Sequence, residues 1–255
     1  MLLAVDVGNT QTHLGMFRDE ELVEHWRFAT VRESTADELA SVLVGLLHLR
    51  GLTVEDVSAA IVSSVVPQLV HEYQGVGERY LGGNLTVVGP SLRSGIPIRT
   101  ERPHEVGADR LVNSVAAYER IRSACIVVDF GTAITYDVVS ADGELLGAII
   151  SPGIEISLEA LSERAARLPR VELEAPPELI GRNTETSILS GVIYGFAGQV
   201  DGIVGRLRAE LGVEARVIAT GGLATSIAPF CEEIDETDDL LTLTGLRLIW
   251  ERNRP

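Results

Sequence analysis

Residues 2–24, LLAVDVGNTQTHLGMFRDEELVE, lie without a gap over residues 125–147, CIVVDFGTAITYDVVSADGELLG. The constant offset of 123 matches Val5 with Val128, Asp6 with Asp129, Gly8 with Gly131 and Thr12 with Thr135. It continues through Asp19/Asp142, Glu21/Glu144 and Leu22/Leu145. Each copy reads as a strand, a tight glycine-containing turn, a second strand (HLGMF, TYDVV), a polar hairpin turn (RDEE, SADG) and a third strand. Two copies of one unit, separated by about a domain length, imply two similar halves. We divide the chain into 1–115 and 116–255, with a helix crossing the join and the C-terminal LTGLRLIWERN a candidate to pack back on the first half.

The remaining segments alternate helix and strand. Residues 35–50 (TADELASVLVGLLHLR) begin with a capping residue and bring Leu39, Val42, Leu43, Leu46 and Leu47 to one face; 59–66 and 85–88 are short apolar runs that read as strands. In the second half 155–167 and 185–210 read as helices, and 216–219 as a strand ending at Thr220-Gly221-Gly222. PRVELEAPPELIGRN reads as a surface loop. This is the pattern of an α/β protein with mixed sheets flanked by helices.

Composition narrows the chemistry. All 21 basic residues are arginine. A P-loop, a protein-kinase strand lysine and Schiff-base catalysis each require lysine and are excluded. The net charge of −16 over 255 residues opposes polyanions at long range, so neither nucleic acid nor an anionic membrane surface is an expected partner. Four uncharged residues follow Met1 before Asp6, which is no secretory signal, and no apolar run approaches membrane-spanning length. A cytoplasmic protein is expected. Cys125 and Cys231 lack metal-ligand spacing and read as free thiols.

The turns then acquire a chemical reading. A strand delivers Asp6 to its end, Gly8 admits a ligand close to the backbone, and Asn9, Thr10 and Thr12 supply polar groups around it. The second copy repeats the device with Asp129, Gly131, Thr132 and Thr135. Two such hairpins facing each other across a cleft would hold a polyphosphate without lysine, and their aspartates suit Mg²⁺ or a monovalent cation, which prefer oxygen ligands. One hairpin alone is more simply a polar β-turn. Its duplication favours the functional reading. Thr220-Gly221-Gly222 is a third small-residue turn at a strand end, suited to an adenosine.

Seven motifs in order, DVGNT at 6–10, VGADR at 106–110, DFGTA at 129–133, SPGI at 151–154, GRNT at 181–184, GVIYG at 191–195 and ATGG at 219–222, resemble the type III pantothenate kinases. The resemblance covers nearly the whole chain. It implies the duplicated actin-like, ribonuclease H-like two-domain α/β fold of the acetate and sugar kinase, heat-shock chaperone and actin superfamily. It also implies ATP-dependent phosphorylation of pantothenate to 4′-phosphopantothenate, the first step toward coenzyme A. Mg²⁺, K⁺ or NH₄⁺ as monovalent cation, and a homodimer belong to the same expectation.

By the same resemblance, Asp6, Val7, Gly8, Asn9, Thr10, Gln11, Thr12 and His13 form the first ATP phosphate loop, with Asp6 also toward Mg²⁺. Thr132, Gly221 and Gly222 contact ATP, and Asp129 holds the monovalent cation. Gly107, Ala108, Asp109 and Arg110 bind pantothenate, with Asp109 the catalytic base, and Thr184 is a further pantothenate contact. Read without the resemblance, Asp109 in the first turn of a helix complements the helix dipole, which should keep it ionised and weakly basic. It can still orient the acceptor hydroxyl in line with the γ-phosphate, because a loose transition state asks for little proton removal until late. Arg110 is equally a surface ion-pair partner, and Thr184 a helix cap. The glycines at 191, 195, 198, 202 and 205 form a stripe explained by either intramolecular packing or a dimer interface. Thr100 departs from the family, many of whose members carry tyrosine there, three residues before the proline at 103. Rival readings are another kinase or phosphohydrolase of this fold, such as a sugar kinase or polyphosphatase, and a nucleotide-binding regulator without turnover.

Overall fold

The computed structural model describes residues 1–254. In chain order the elements begin with β1 (Leu2–Val7), β2 (Gln11–Arg18), β3 (Glu21–Ala29), α1 (Ala36–His48), β4 (Ala59–Ser64), α2 (Pro67–Tyr80), β5 (Leu85–Val87) and α3 (Ala108–Ile121). They continue with β6 (Cys125–Phe130), β7 (Ala133–Val139), β8 (Leu145–Pro152), α4 (Ile154–Arg164), α5 (Thr184–Leu211), β9 (Arg216–Thr220), α6 (Ala224–Ile227), β10 (Glu236–Thr237) and α7 (Leu241–Asn253). The chain forms two compact units, one of 1–96, 101–116 and 241–254, the other of 97–100 and 117–240.

The first unit carries a five-stranded sheet in the order β3-β2-β1-β4-β5, antiparallel through the hairpins and parallel from β1 outward. Alternation along β1 sends Leu3, Val5 and Val7 into a core with α1 and α2. α7 packs on β1, β2 and β4. Here the C-terminal helix lies with the first unit. Gly245 permits it, because a Cβ there would collide with the Val112 carbonyl oxygen of α3.

The second unit repeats this plan as β10-β9-β6-β7-β8, with the hairpin strands antiparallel and β6-β9-β10 parallel. Ile126, Val128 and Phe130 alternate into a core with α5 residues Ile193, Val200 and Val204. α5 is long and apolar enough to span a membrane by length and composition, yet those residues are buried in this core. The duplicated two-unit α/β fold expected from the repeat is the observed one.

One helix is poorly marked in the sequence. α2 starts with Pro67 in its first turn and contains Gly75 and Gly77, residues that disfavour a helix reading. The glycines serve packing: a Cβ on Gly77 would lie 2.5 Å from the Leu85 Cβ of β5, and one on Gly75 3.1 Å from the Ala36 Cβ of α1.

The gapless repeat breaks at the glycine turns. In the first hairpin Asp6 stands opposite His13, and the Gly8 N–H donates to Gln11 O at 3.0 Å, leaving Asn9-Thr10 at the tip. In the second, Asp129 stands opposite Thr135, and the Gly131 N–H donates to Ala133 O at 3.1 Å, leaving Thr132 at the tip. The second turn is therefore one residue shorter. Thr135 corresponds in space to His13, while Thr12 faces Val7 on the opposite side of its sheet. The next hairpin turn restores the offset, since Leu22 pairs with Phe17 and Leu145 with Val139.

Candidate functional site

In the first unit, strand pairing lines up Ser63, Asp6, His13 and Arg27 as a row across β4, β1, β2 and β3. Paired residues share a face, so these four side chains meet on the side of the sheet away from α1 and α2. The Ser63 hydroxyl donates to Asp6 Oδ1 at 2.5 Å. Burial pushes the Asp6 carboxyl up to about 7; the Ser63 hydrogen bond pulls it back, and the charge of Asp109 pushes it further up. His13 is buried and held at about 3 by burial, by Arg27 and by His25, whose Nδ1 lies 3.3 Å from His13 Nε2. At neutral pH His13 carries no charge for a phosphate.

Asp109 occupies the first turn of α3, and its Oδ1 accepts the Arg110 N–H at 2.8 Å. Gly107 leaves this carboxylate its place, since a Cβ would lie 2.5 Å from that oxygen and push the Asp109 side chain aside. The expected lowering by the helix start is present, but burial outweighs it and the Asp109 carboxyl is raised above the ordinary range. This corrects the reading of Asp109 as a weakly basic helix-start acid.

The phosphate-loop candidates are only partly alike in placement. Asn9 and Thr10 are exposed at the turn tip. Thr12 is buried instead, its Oγ1 2.9 Å from Thr30 Oγ1 and hydrogen-bonded with Tyr73, so it reaches the loop through backbone alone. Two partners were missed. Ser63 follows an apolar strand in IVSS, a signal interpretable only once β4 is known to lie parallel beside β1. Arg32 donates from Nη2 to Asn9 Oδ1 at 3.2 Å.

In the second unit Asp129, Gly131, Thr132 and Gly221 come together. Gly221 has φ +93°, and a Cβ on it would collide with Asp129 Oδ1 and lie 2.7 Å from Phe130 N. Thr220 pairs with Asp129 in register and is buried. Gly153, from the SPGI motif, closes on the turn so tightly that a Cβ would strike Thr132 O and lie 2.8 Å from Gly131 O.

Thr184 is the first residue of α5, and its cap is Asn183, whose Oδ1 accepts the Thr186 N–H at 2.8 Å. Thr184 is thus not the cap. It opens instead onto a groove of about 800 Å³ with Ser157, Leu161, Arg182, Asn183 and Ser187. Thr100 is half-buried, with its Oγ1 enclosed and without a hydrogen-bond partner.

For cations, the donor sets fit. No group of three or more His, Cys, Asp or Glu side chains gathers among the described residues. Mg²⁺ in phosphate sites uses one or two carboxylates together with water and phosphate oxygens, a demand that Asp6 with the Asp109 charge nearby can meet. Asp129, set against the backbone of Gly221, offers a carboxylate in an oxygen-rich turn suited to a monovalent ion.

A repeated five-stranded sheet with a glycine hairpin ending β1 and β6 defines a duplicated actin-like protein, the fold shared by sugar kinases. A solved structure from Sinorhizobium meliloti, described as a 2-dehydro-3-deoxygalactonokinase protein, shows the same fold with TM-score 0.60 at 14% identity over 100% of both chains. The type III pantothenate kinase family profile matches residues 2–206. Type III pantothenate kinases from Moorella thermoacetica and Myxococcus xanthus are 51% and 49% identical, each over 99% of this chain and over 100% and 99% of their own. The chain belongs to the type III pantothenate kinase family. It is accordingly an ATP-dependent phosphotransferase acting on pantothenate.

Proposed function

We propose that Asp109 is the residue against which the acceptor hydroxyl of pantothenate is placed, with Gly107, Ala108 and Arg110 around the substrate. The Asp6–His13 segment, Thr132, Gly221 and Gly222 contact ATP, and Thr184 makes a further contact to pantothenate. The observation that carries this reading is the electrostatic coupling of Asp6 and Asp109: the phosphate-loop acid and the candidate base are near enough for one charge to raise the other's proton affinity.

In the reaction the hydroxyl oxygen forms a bond to the γ-phosphorus, the bond to the β-γ bridging oxygen breaks, and ADP leaves with that electron pair. The hydroxyl proton passes to the Asp109 carboxylate. Its burial raises its proton affinity and suits it to accept that proton as charge develops. The Arg110 N–H fixes the carboxylate orientation, so the group contributes alignment before it contributes basicity. Gly8 and Gly131 keep Cβ atoms away from the turns, where backbone N–H groups can approach phosphate oxygens. Mg²⁺ at Asp6 and K⁺ or NH₄⁺ at Asp129 would neutralise phosphate charge.

A homodimer is part of the proposal. Where Cβ atoms would stand on Gly191, Gly195, Gly198 and Gly205 there is open space within 4 Å, so packing inside the chain does not account for the stripe. Tyr194 is exposed on the same helix, with Ile149 and Ile150 exposed on β8. Sedimentation of the purified protein should give twice the mass of one chain; a monomer at assay concentrations removes this part. We place the enzyme in the cytoplasm, in keeping with its kinship to bacterial kinases and its free thiols.

The deciding assay supplies ATP, Mg²⁺, K⁺ and pantothenate to wild-type protein and to Asp109→Asn, with detection of phosphopantothenate. Wild-type product and its loss in the variant are expected. Full turnover by Asp109→Asn would remove the role given to Asp109. Omitting K⁺, and repeating this with Asp129→Asn, tests the cation: monovalent-ion dependence should be present in the wild type and lost in the variant.

A further inference from the structure

We propose that Arg32 is an ATP-contact residue, its guanidinium donating to the terminal phosphate oxygens beside the Gly8–Thr10 turn. This deepens the phosphate-loop reading above and rests on it. The segment after β3 is fastened to that turn at several points. The Thr30 N–H donates to Thr10 O at 2.9 Å, Thr30 Oγ1 lies 2.9 Å from Thr12 Oγ1, and Arg32 Nη2 donates to Asn9 Oδ1 at 3.2 Å. Arg32 itself stands in a turn closed by the Ser34 N–H on Val31 O at 3.1 Å. Its backbone is therefore held, while its side chain is exposed and reaches the loop tip.

The chemistry of the loop leaves a role for such a group. Residues 8–12 contain neither lysine nor arginine, Asp6 and Asp109 place two carboxylates nearby, and the whole chain carries −16. Arg27 lies on the sheet face beside His13, and the cations proposed above act at the aspartates, which leaves the exposed Asn9-Thr10 tip as the place where a further positive charge would meet a triphosphate. A guanidinium has five N–H donors in a planar fork matched to phosphate oxygens, so the single bond to Asn9 leaves donors to spare. That bond also explains why the side chain points to the tip before nucleotide arrives, which reduces the ordering required on binding. In a chain without lysine, an arginine fixed outside the loop takes the place of a cation within it.

Two variants test this. Arg32→Gln keeps a donor without charge, and Arg32→Lys keeps charge without the fork. Arg32→Gln should raise KM for ATP about tenfold or more, with Arg32→Lys intermediate, the size associated with loss of a charge-assisted hydrogen bond. KM for pantothenate and the thermal midpoint of the nucleotide-free protein should hold. In equilibrium binding, affinity should fall most for ATP, less for ADP and not at all for AMP; Gln at 32 keeps a donor for Asn9 Oδ1, so the tie to the loop is retained while the charge is lost. An unchanged KM for ATP, or an equal loss for AMP, overturns the proposal. Asn9→Ala separates it from the reading beneath: if that variant weakens ATP and Arg32→Gln does not, the loop stands and Arg32 falls, whereas ATP binding unchanged in both removes both.

Discussion

In the first unit the strand-end aspartate is joined by a second carboxylate, whereas in the second unit its counterpart is packed against glycine backbone. Asp6 accepts from Ser63, stands beside neutral His13 and feels the charge of Asp109. Asp129 stands opposite Thr135 and Thr220, with Gly221 pressed against its Oδ1. The same strand and turn have therefore taken on different physical demands. In the first half substitution should be felt chiefly through charge; in the second, where Asp137 lies on the same face, the close packing of Gly221 should be felt first through space.

The largest effect is expected at Asp109, on the charged side of the comparison. Asp109→Asn should lower kcat by about 10²–10⁴, the range for removal of a positioned acid–base group. It should also lower the Asp6 pKa, readable by NMR titration, since one upward contribution disappears. An unmoved Asp6 titration would break the claim that the two carboxylates form one site.

Gly221→Ala tests the steric side. With φ at +93° and no room for a Cβ, the variant should lose about 3 kcal/mol or more of stability in urea unfolding. Gly8→Ala should be milder: Gly8 is not in the left-handed region, and its Cβ would meet chiefly Gln11 O at 2.8 Å. Equal losses in the two variants would erase the contrast.

Asp6→Asn should act in opposite directions on activity and stability. The folded pKa of Asp6, about 7, lies above the ordinary 3.8. Its contribution to stability is therefore full below the unfolded value and is lost as pH rises through about 7. Replacing it should stabilise the nucleotide-free protein by roughly 1–3 kcal/mol near pH 8, with no gain near pH 4, while reducing turnover. Thermal melts across this pH window read the sign directly; a variant destabilised at pH 8 would show that the carboxylate is held by contacts stronger than its burial penalty.

These contrasts also show what the sequence makes legible. The repeat reveals both sheets because the apolar alternation of β1 and β6 and the Asp-x-Gly strand ends survive duplication side by side. Asp109 and Gly107 stand out through their motif, and the structure gives Gly107 a steric reason. Ser63 and Arg32 are hidden for a different cause: each meets the loop through a pairing between segments distant in sequence, β4 with β1 and the β3 exit with the first turn. α2 is hidden because its two glycines serve contacts to β5 and α1, at the expense of local helix propensity. The sign of the Asp109 shift was unreadable for a similar reason, since the helix start is local and burial is not.

The smallest effect probes the one-residue difference between the turns. Gapless alignment equates Thr12 with Thr135, yet strand register puts Thr12 opposite Val7 and Thr135 opposite Asp129. Thr12→Val removes a hydroxyl bonded to Thr30 and Tyr73 inside the first core and should cost about 1 kcal/mol of stability. KM for ATP should hold, because the side chain lies on the face away from Asp6. Thr135→Val removes a donor to the buried Asp137 at 3.2 Å, on the same face as Asp129, and should shift the concentration of K⁺ needed for half-maximal activity. Were both variants to change only ATP affinity, the sequence alignment would describe their roles better than the register does. A K⁺ shift confined to Thr135→Val would instead show that a one-residue difference between the turns puts one repeat-matched threonine in the core and the other beside the ion.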